Sequence, residues 1–213
     1  MKRIGVIDYG LGNLFSVVNC LNRLNIETII SSNPDELNSC DGFILPGVGA
    51  FQPAIKNLQK NGIDNFLKND SENNRKPLFG ICLGYQLLFT ESLEFGTHKG
   101  LDLIEGTVEN LVSKDKSIKV PHTQWNRLKV VSDNDLGPIQ KVIEDDEYVY
   151  FVHSLAPITA GNYALTTTNY GDINFTSSIL KDNIFATQFH PEKSGKVGLE
   201  IIQSWLTLNK LNI

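Results

Sequence analysis

The chain has 213 residues, 41% of them hydrophobic and 20% charged, with 17 Gly and 8 Pro. These proportions exclude collagen-like, disordered and disulfide-scaffold chains and are those of a globular protein with a substantial core. A net charge of −5 argues against phosphate-backbone binding as the main activity, which needs a clustered basic surface. No apolar run reaches the ~18 residues of a membrane helix. The basic start Met1-Lys2-Arg3 leads straight into Ile4-Gly5-Val6-Ile7, without the apolar stretch and small-residue cleavage site of a signal peptide. The expectation is a cytoplasmic protein that engages neither nucleic acid nor membrane.

Ile4 to Ile7 is a short β-branched run ending at Asp8-Tyr9-Gly10, which predicts a buried strand and a Gly-rich loop, Gly10-Leu11-Gly12-Asn13. Leu14, Val17, Val18, Leu21 and Leu24 then recur at helical spacing. Thr28 to Ile30 and Gly42 to Leu45 predict a second and third strand, the latter closed by Pro46-Gly47. A helix is predicted from Gln52 to Lys68, a strand from Pro77 to Ile81 and a helix from Leu83 to Thr90. Strands alternating with helices imply parallel pairing with helices on both faces, the doubly wound α/β class. In the second half Thr107–Val112, Leu128–Val131, Tyr148–Val152, Tyr163–Thr168, Phe175–Leu180 and Ile184–Thr187 are short β-type runs between Asn, Asp and Gly turns. They predict antiparallel strands added to the parallel sheet. A helix from Val197 to Leu208 closes the chain. No Pro/Ser/Gly linker and no internal repeat divides it, so residues 1–213 read as one domain.

Of the three cysteines, Cys20 sits in an apolar helical pattern and Cys40 in a polar turn, and both read as packing residues. Their spacing with Cys82 is not that of a zinc site. Cys82 stands in Leu78-Phe79-Gly80-Ile81-Cys82-Leu83-Gly84-Tyr85-Gln86, where a strand meets Gly-x-Cys-x-Gly and a helix begins at once. That is the logic of a nucleophile elbow: a sharp, strained turn presents the thiol, and the following helix start favours negative charge. The turn would aim the Leu83 N–H at an oxyanion position. The same segment also fits a buried core cysteine at a tight turn. A thiolate nucleophile needs a base with an orienting group, and His190-Pro191-Glu192 follows an apolar strand with imidazole and carboxylate two residues apart. His98 falls in a Lys/Thr/Gly loop and is expected to be exposed, whereas His122 and His153 each border an apolar strand and stay open. The turn Leu45-Pro46-Gly47-Val48-Gly49-Ala50 fits neither phosphate-binding spacing, and its amides are better read as a second oxyanion donor.

Together these residues resemble the class I (triad) glutamine amidotransferases. The added segments Asp8-Tyr9-Gly10-Leu11-Gly12-Asn13, Pro121-His122 with Trp125-Asn126, and Tyr150-Phe151-Val152-His153-Ser154 resemble, within that family, the glutaminase subunits of imidazole glycerol phosphate synthases. The resemblance implies that Cys82 attacks the side-chain amide of L-glutamine, His190 moves the proton and Glu192 orients His190. It places backbone N–H groups of Leu83 and of Val48-Gly49 at the oxyanion, and Gln86, Glu94 and the His153-Ser154 backbone around the amino-acid end of the substrate. It requires no metal or organic cofactor. It also implies a heterodimer with a (β/α)8-barrel cyclase subunit that receives the ammonia. The chain departs from the family pattern at Thr123-Gln124, where Met-Gly is usual, and at Leu155, where an aromatic is usual. These departures fit a paralogue that supplies ammonia to a sugar-modifying amidotransferase of surface polysaccharide synthesis. A catalytically silent binding module, a cysteine peptidase, and a standalone glutaminase or γ-glutamyl hydrolase are the remaining alternatives.

Overall fold

The computed structural model describes residues 2–73, 75–112, 118–131, 139, 142–143, 147–158 and 161–212; Met1 lies outside them. The first half runs β1 (Arg3–Ile7), α1 (Leu14–Arg23), β2 (Glu27–Ser31), α2 (Pro34–Leu37), β3 (Gly42–Gly47), α3 (Phe51–Lys60), α4 (Ile63–Asn73), β4 (Leu78–Cys82) and α5 (Leu83–Leu87). The second half adds β5 (Phe89–Ser92), β6 (His98–Lys99), β7 (Ile104–Asn110), β8 (His122–Arg127), β9 (Lys129–Val130), β10 (Tyr148–His153), β11 (Leu155–Pro157), β12 (Ala164–Tyr170), β13 (Ile173–Lys181), β14 (Ile184–Thr187) and α6 (Gly195–Leu208).

Among the described residues one sheet has eight strands, in the order β2-β1-β3-β4-β14-β13-β12-β9. The pairs from β2 across to β14 are parallel, and β13, β12 and β9 extend the sheet antiparallel. The expected class, α/β with antiparallel additions from the C-terminal half, is the one observed. Strand side chains alternate between faces, and the core divides accordingly. Ile4, Val6, Ile44, Phe79, Ile81 and Phe185 pack on one side with Val17 and Leu21 of α1 and Ile201, Ile202 and Trp205 of α6. Ile7, Phe43, Leu45, Leu78 and Ile184 pack on the other with Phe51, Ala54, Ile55 and Leu58 of α3, Ile63 and Leu67 of α4, and Leu83 and Tyr85 of α5. Beyond this sheet lie a four-stranded sheet, β11-β7-β5-β6, and the β10-β8 pair.

Several local expectations need correction. The helix predicted from Gln52 to Lys68 is two helices, broken where Gly62 takes φ +71°; glycine tolerates that conformation at no steric cost. The helix predicted to reach Thr90 stops at Leu87, and Phe89–Ser92 pairs with β7 instead. A short apolar run such as Leu87-Leu88-Phe89 satisfies helix and buried strand alike, so periodicity alone does not choose. The polar strand β8 gave no sequence signal, and His98 is half-buried on β6 rather than exposed. Among the described residues no helix is long and apolar enough to cross a membrane.

Candidate active site

Three adjacent parallel strands, β3, β4 and β14, end together, and their C-terminal edge carries the candidate chemistry. Ligands in open α/β sheets bind at this edge. Gly47 is paired with Cys82, and Thr187 with Ile81, so the β3 turn, the thiol and the segment after β14 converge by register.

Cys82 adopts φ 54°, ψ −107°. A side-chain-bearing residue held there stores backbone strain, of order 1–3 kcal/mol. What holds it is close packing on both sides. A Cβ on Gly80 would meet Leu88, Tyr85 and Ala186 at 3.0–3.2 Å, and one on Gly84 would overlap the Leu45 carbonyl. The elbow expected from Gly-x-Cys-x-Gly is therefore present, and the glycines are there because neighbouring chain passes so near. Helix α5 spans only five residues, and Cys82 makes no side-chain cap bond to it. The electrostatic contribution of α5 at the sulfur thus comes from its first peptide N–H groups and not from a long dipole.

His190 is 2% exposed, and its Nδ1–H donates to Glu192 Oε1 at 2.7 Å, a carboxylate equally buried. Nδ1 being engaged, Nε2 is the free nitrogen, and among the described residues it makes no close hydrogen bond. Burial by itself would lower the pKa of this imidazole. The negative charge at Cys82, joined by the bond and charge of Glu192, outweighs burial and pushes it up to about 10. The arrangement favours an imidazolium beside the sulfur.

A cavity of about 400 Å³ opens over the thiol. Its walls include Val48, Gly49, Cys82, Leu83, Gln86, Glu94, His153 and Ser154, so every site residue named from the sequence lines it except His190 and Glu192, whose pair is coupled to Cys82 by charge. Gly49 has φ +101° with open space around it, whereas Gly47 is confined: a Cβ there would overlap the Tyr9 hydroxyl. Burial, then the charge at Cys82, raises the pKa of that phenol. Glu94 Oε2 accepts the Phe51 N–H at 2.5 Å, which caps α3 and fixes the carboxylate at the cavity wall.

Sequence reasoning missed Pro121, Val152 and Lys193 on the wall. It also missed Gln188, fully buried, whose Nε2 donates to Cys82 Sγ at 3.7 Å. A polar side chain within the apolar run Phe185 to Phe189 was the available signal, because a buried amide needs partners.

His122 and His153 form a buried pair, of which His153 lines the cavity and His122 stands outside its lining. Leu155 O, 2.9 Å from His153 Nδ1, can only accept, so that nitrogen carries the proton and Nε2 accepts from His122 Nδ1–H at 3.0 Å. His122 Nε2 in turn accepts from Asn126 Nδ2 at 3.2 Å. Burial lowers the pKa of His122 to about 4; burial, reinforced by His122, lowers that of His153 to about 3. Both rings are neutral. Of the three departures from the family pattern, Thr123 and Gln124 are exposed on β8, and Leu155 is buried at the cavity wall. None displaces the triad.

The family model for class-I glutamine amidotransferases matches residues 5–207. Among curated relatives, an imidazole glycerol phosphate synthase subunit HisH of Prochlorococcus marinus is 45% identical over 95% of this chain and 93% of its own. Another protein with that description, from Methanosarcina barkeri, is 42% identical over 98% of this chain and 100% of its own. Among solved structures, a glutamine amidotransferase superposes with a TM-score of 0.74 at 20% identity, covering 97% of this chain and 98% of its own. The PurLQS structure from Thermotoga maritima gives 0.70 at 20% identity, with coverage of 97% and 98%. These likenesses in structure concern the fold.

Proposed function

This chain belongs to the class I glutamine amidotransferases, and we propose that it works as the glutaminase subunit of an imidazole glycerol phosphate synthase in histidine biosynthesis. The Cys82 thiolate attacks the side-chain amide carbon of L-glutamine, and the N–H groups of Leu83 and of the Val48-Gly49 turn receive the developing oxyanion. The His190 imidazolium gives its proton to the departing nitrogen, and the C–N bond breaks to leave ammonia and a γ-glutamyl thioester. His190, now neutral, takes a proton from water, whose oxygen attacks the thioester; glutamate leaves and the Cys82–His190 pair is restored. Glu192 holds the ring through Nδ1 in every step. At the other end of the cavity, Glu94 pairs with the substrate ammonium, and Gln86 with the His153-Ser154 backbone completes the pocket.

Free ammonia is mostly protonated at neutral pH, so it must reach its acceptor before bulk water. The chain is read as one half of a heterodimer, its partner a (β/α)8-barrel cyclase that uses the ammonia to form imidazole glycerol phosphate and an aminoimidazole carboxamide nucleotide. The observation that supports this reading most is the gathering of eight named residues around one cavity, with the buried His190–Glu192 pair coupled by charge to its sulfur. The test is glutamate release from glutamine by wild type and Cys82→Ala, alone and with the same organism's cyclase and its nucleotide substrate. Stimulation by that pair, abolished in Cys82→Ala, is the expected result. Absence of stimulation by an active cyclase would overturn the assignment of partner and acceptor.

A further inference from the structure

Past Thr187 the chain of β14 continues into Gln188, and the register of β14 against β4 sets that residue beside Cys82. Its backbone N–H donates to Ser177 O at 2.9 Å on the far side, and its side chain is fully buried. The amide has two partners. Oε1 accepts from Gln86 Nε2 at 3.0 Å, and Nε2 donates to Cys82 Sγ at 3.7 Å.

The direction of this chain follows from one acceptor. Leu155 O cannot donate, so the Gln86 group 2.8 Å from it is the amino group. The second hydrogen of that amino group points at Gln188 and requires the oxygen there. Gln188 is left with its own NH2 toward sulfur, and turning it over would oppose two donors. An amide donor of fixed direction distinguishes the two states of a sulfur atom, because its bond to a thiolate is charge-assisted and its bond to a thiol is not. Val152 O acts in the opposite sense: 3.9 Å from the same sulfur, it accepts from the thiol and offers a thiolate nothing.

We propose that Gln188, locked in direction by Gln86, is a positioning residue that holds the Cys82 sulfur and stabilises its thiolate. The proposal rests on the reading of Cys82 as nucleophile. Among the described residues the titratable groups around that sulfur are His190 with Glu192, Tyr9 after β1, His153 at the end of β10, and Glu94 and Lys193 on the shared cavity wall. Substitution at 188 leaves all of them in place.

The test is alkylation of Cys82 by iodoacetamide across pH, followed on the Cys82 peptide by mass spectrometry so that Cys20 and Cys40 do not contribute. Wild type is compared with Gln188→Met, of similar size but no donor, and Gln188→Glu, which turns an acceptor to the sulfur. The expected result is a midpoint raised by about one pH unit in Gln188→Met, a tenfold smaller reactive fraction below it, and raised further in Gln188→Glu. In glutamine hydrolysis kcat falls while KM changes little. Gln86→Met, which releases the lock and leaves residue 188 untouched, gives a smaller rise and serves where a 188 variant fails to fold. A reactive Cys82 whose midpoint stays at the wild-type value in folded variants overturns the role of Gln188 alone. A wild-type Cys82 that resists iodoacetamide throughout overturns the nucleophile reading, and this proposal with it.

Discussion

Acidification should destabilise this protein through the pair His122 and His153. Their folded-state pKa values are lowered to about 4 and about 3 by burial and, for His153, by its neighbour. In the unfolded chain both take up protons as the pH falls through ~6.5. Over the window from ~6.5 down to about 4 and 3 the unfolded state therefore binds more protons than the folded one, and stability declines with falling pH. At about pH 4.5 each ring has cost roughly 2–3 kcal/mol relative to pH 7, together about 5 kcal/mol, at 1.36 kcal/mol per unit. That is a large part of the ~5–15 kcal/mol that holds a typical domain folded. The assay is urea unfolding at the two pH values for wild type and for the double variant His122→Asn/His153→Asn. The asparagines keep a donor at each Nδ1 position but cannot charge. The variant should lose about 5 kcal/mol less than wild type between the two conditions. An equal loss in both proteins would show that these histidines are not held neutral and would refute the reasoning.

Three further predictions concern two residues, Cys82 and Glu94. In Cys82→Ser the charge that raises His190 is removed while burial remains, so its titration midpoint should drop well below about 10 and the stability that wild type loses between ~6.5 and about 10 should be lost over a narrower range; histidine NMR titration reads the midpoint and urea unfolding across that range reads the stability, and an unmoved midpoint would contradict the Cys82–His190 coupling. Glu94→Gln keeps an acceptor for the Phe51 N–H but removes the charge proposed to pair with the substrate ammonium, so KM for glutamine should rise by roughly 30-fold, about 2 kcal/mol, with the melting temperature unchanged. Glu94→Ala should add a capping loss of about 1 kcal/mol, read in thermal unfolding.

What the sequence by itself determined is local or periodic. The parallel half is legible because β-branched runs and amphipathic helices alternate, and alternation admits few topologies. Cys82 is legible because an elbow needs its glycines two residues away, within one turn, and His190 with Glu192 because two residues bring imidazole and carboxylate together. Tertiary structure decided everything that depends on register between distant strands. Phe89–Ser92 is a strand because β7 lies beside it, although its apolar run suits a helix. His122 and His153 are neutral partners because β8 and β10 pair them, and nothing in either segment foretells the other. Gln188 reaches the sulfur only because β14 adjoins β4. The physical reason is common to all three: a hydrogen bond is specified by where both partners lie, and a sequence places neighbours within a turn or a strand, whereas the sheet order brings together residues 15 or 16 positions apart in β5 and β7, 31 apart in His122 and His153 and 106 apart in Cys82 and Gln188.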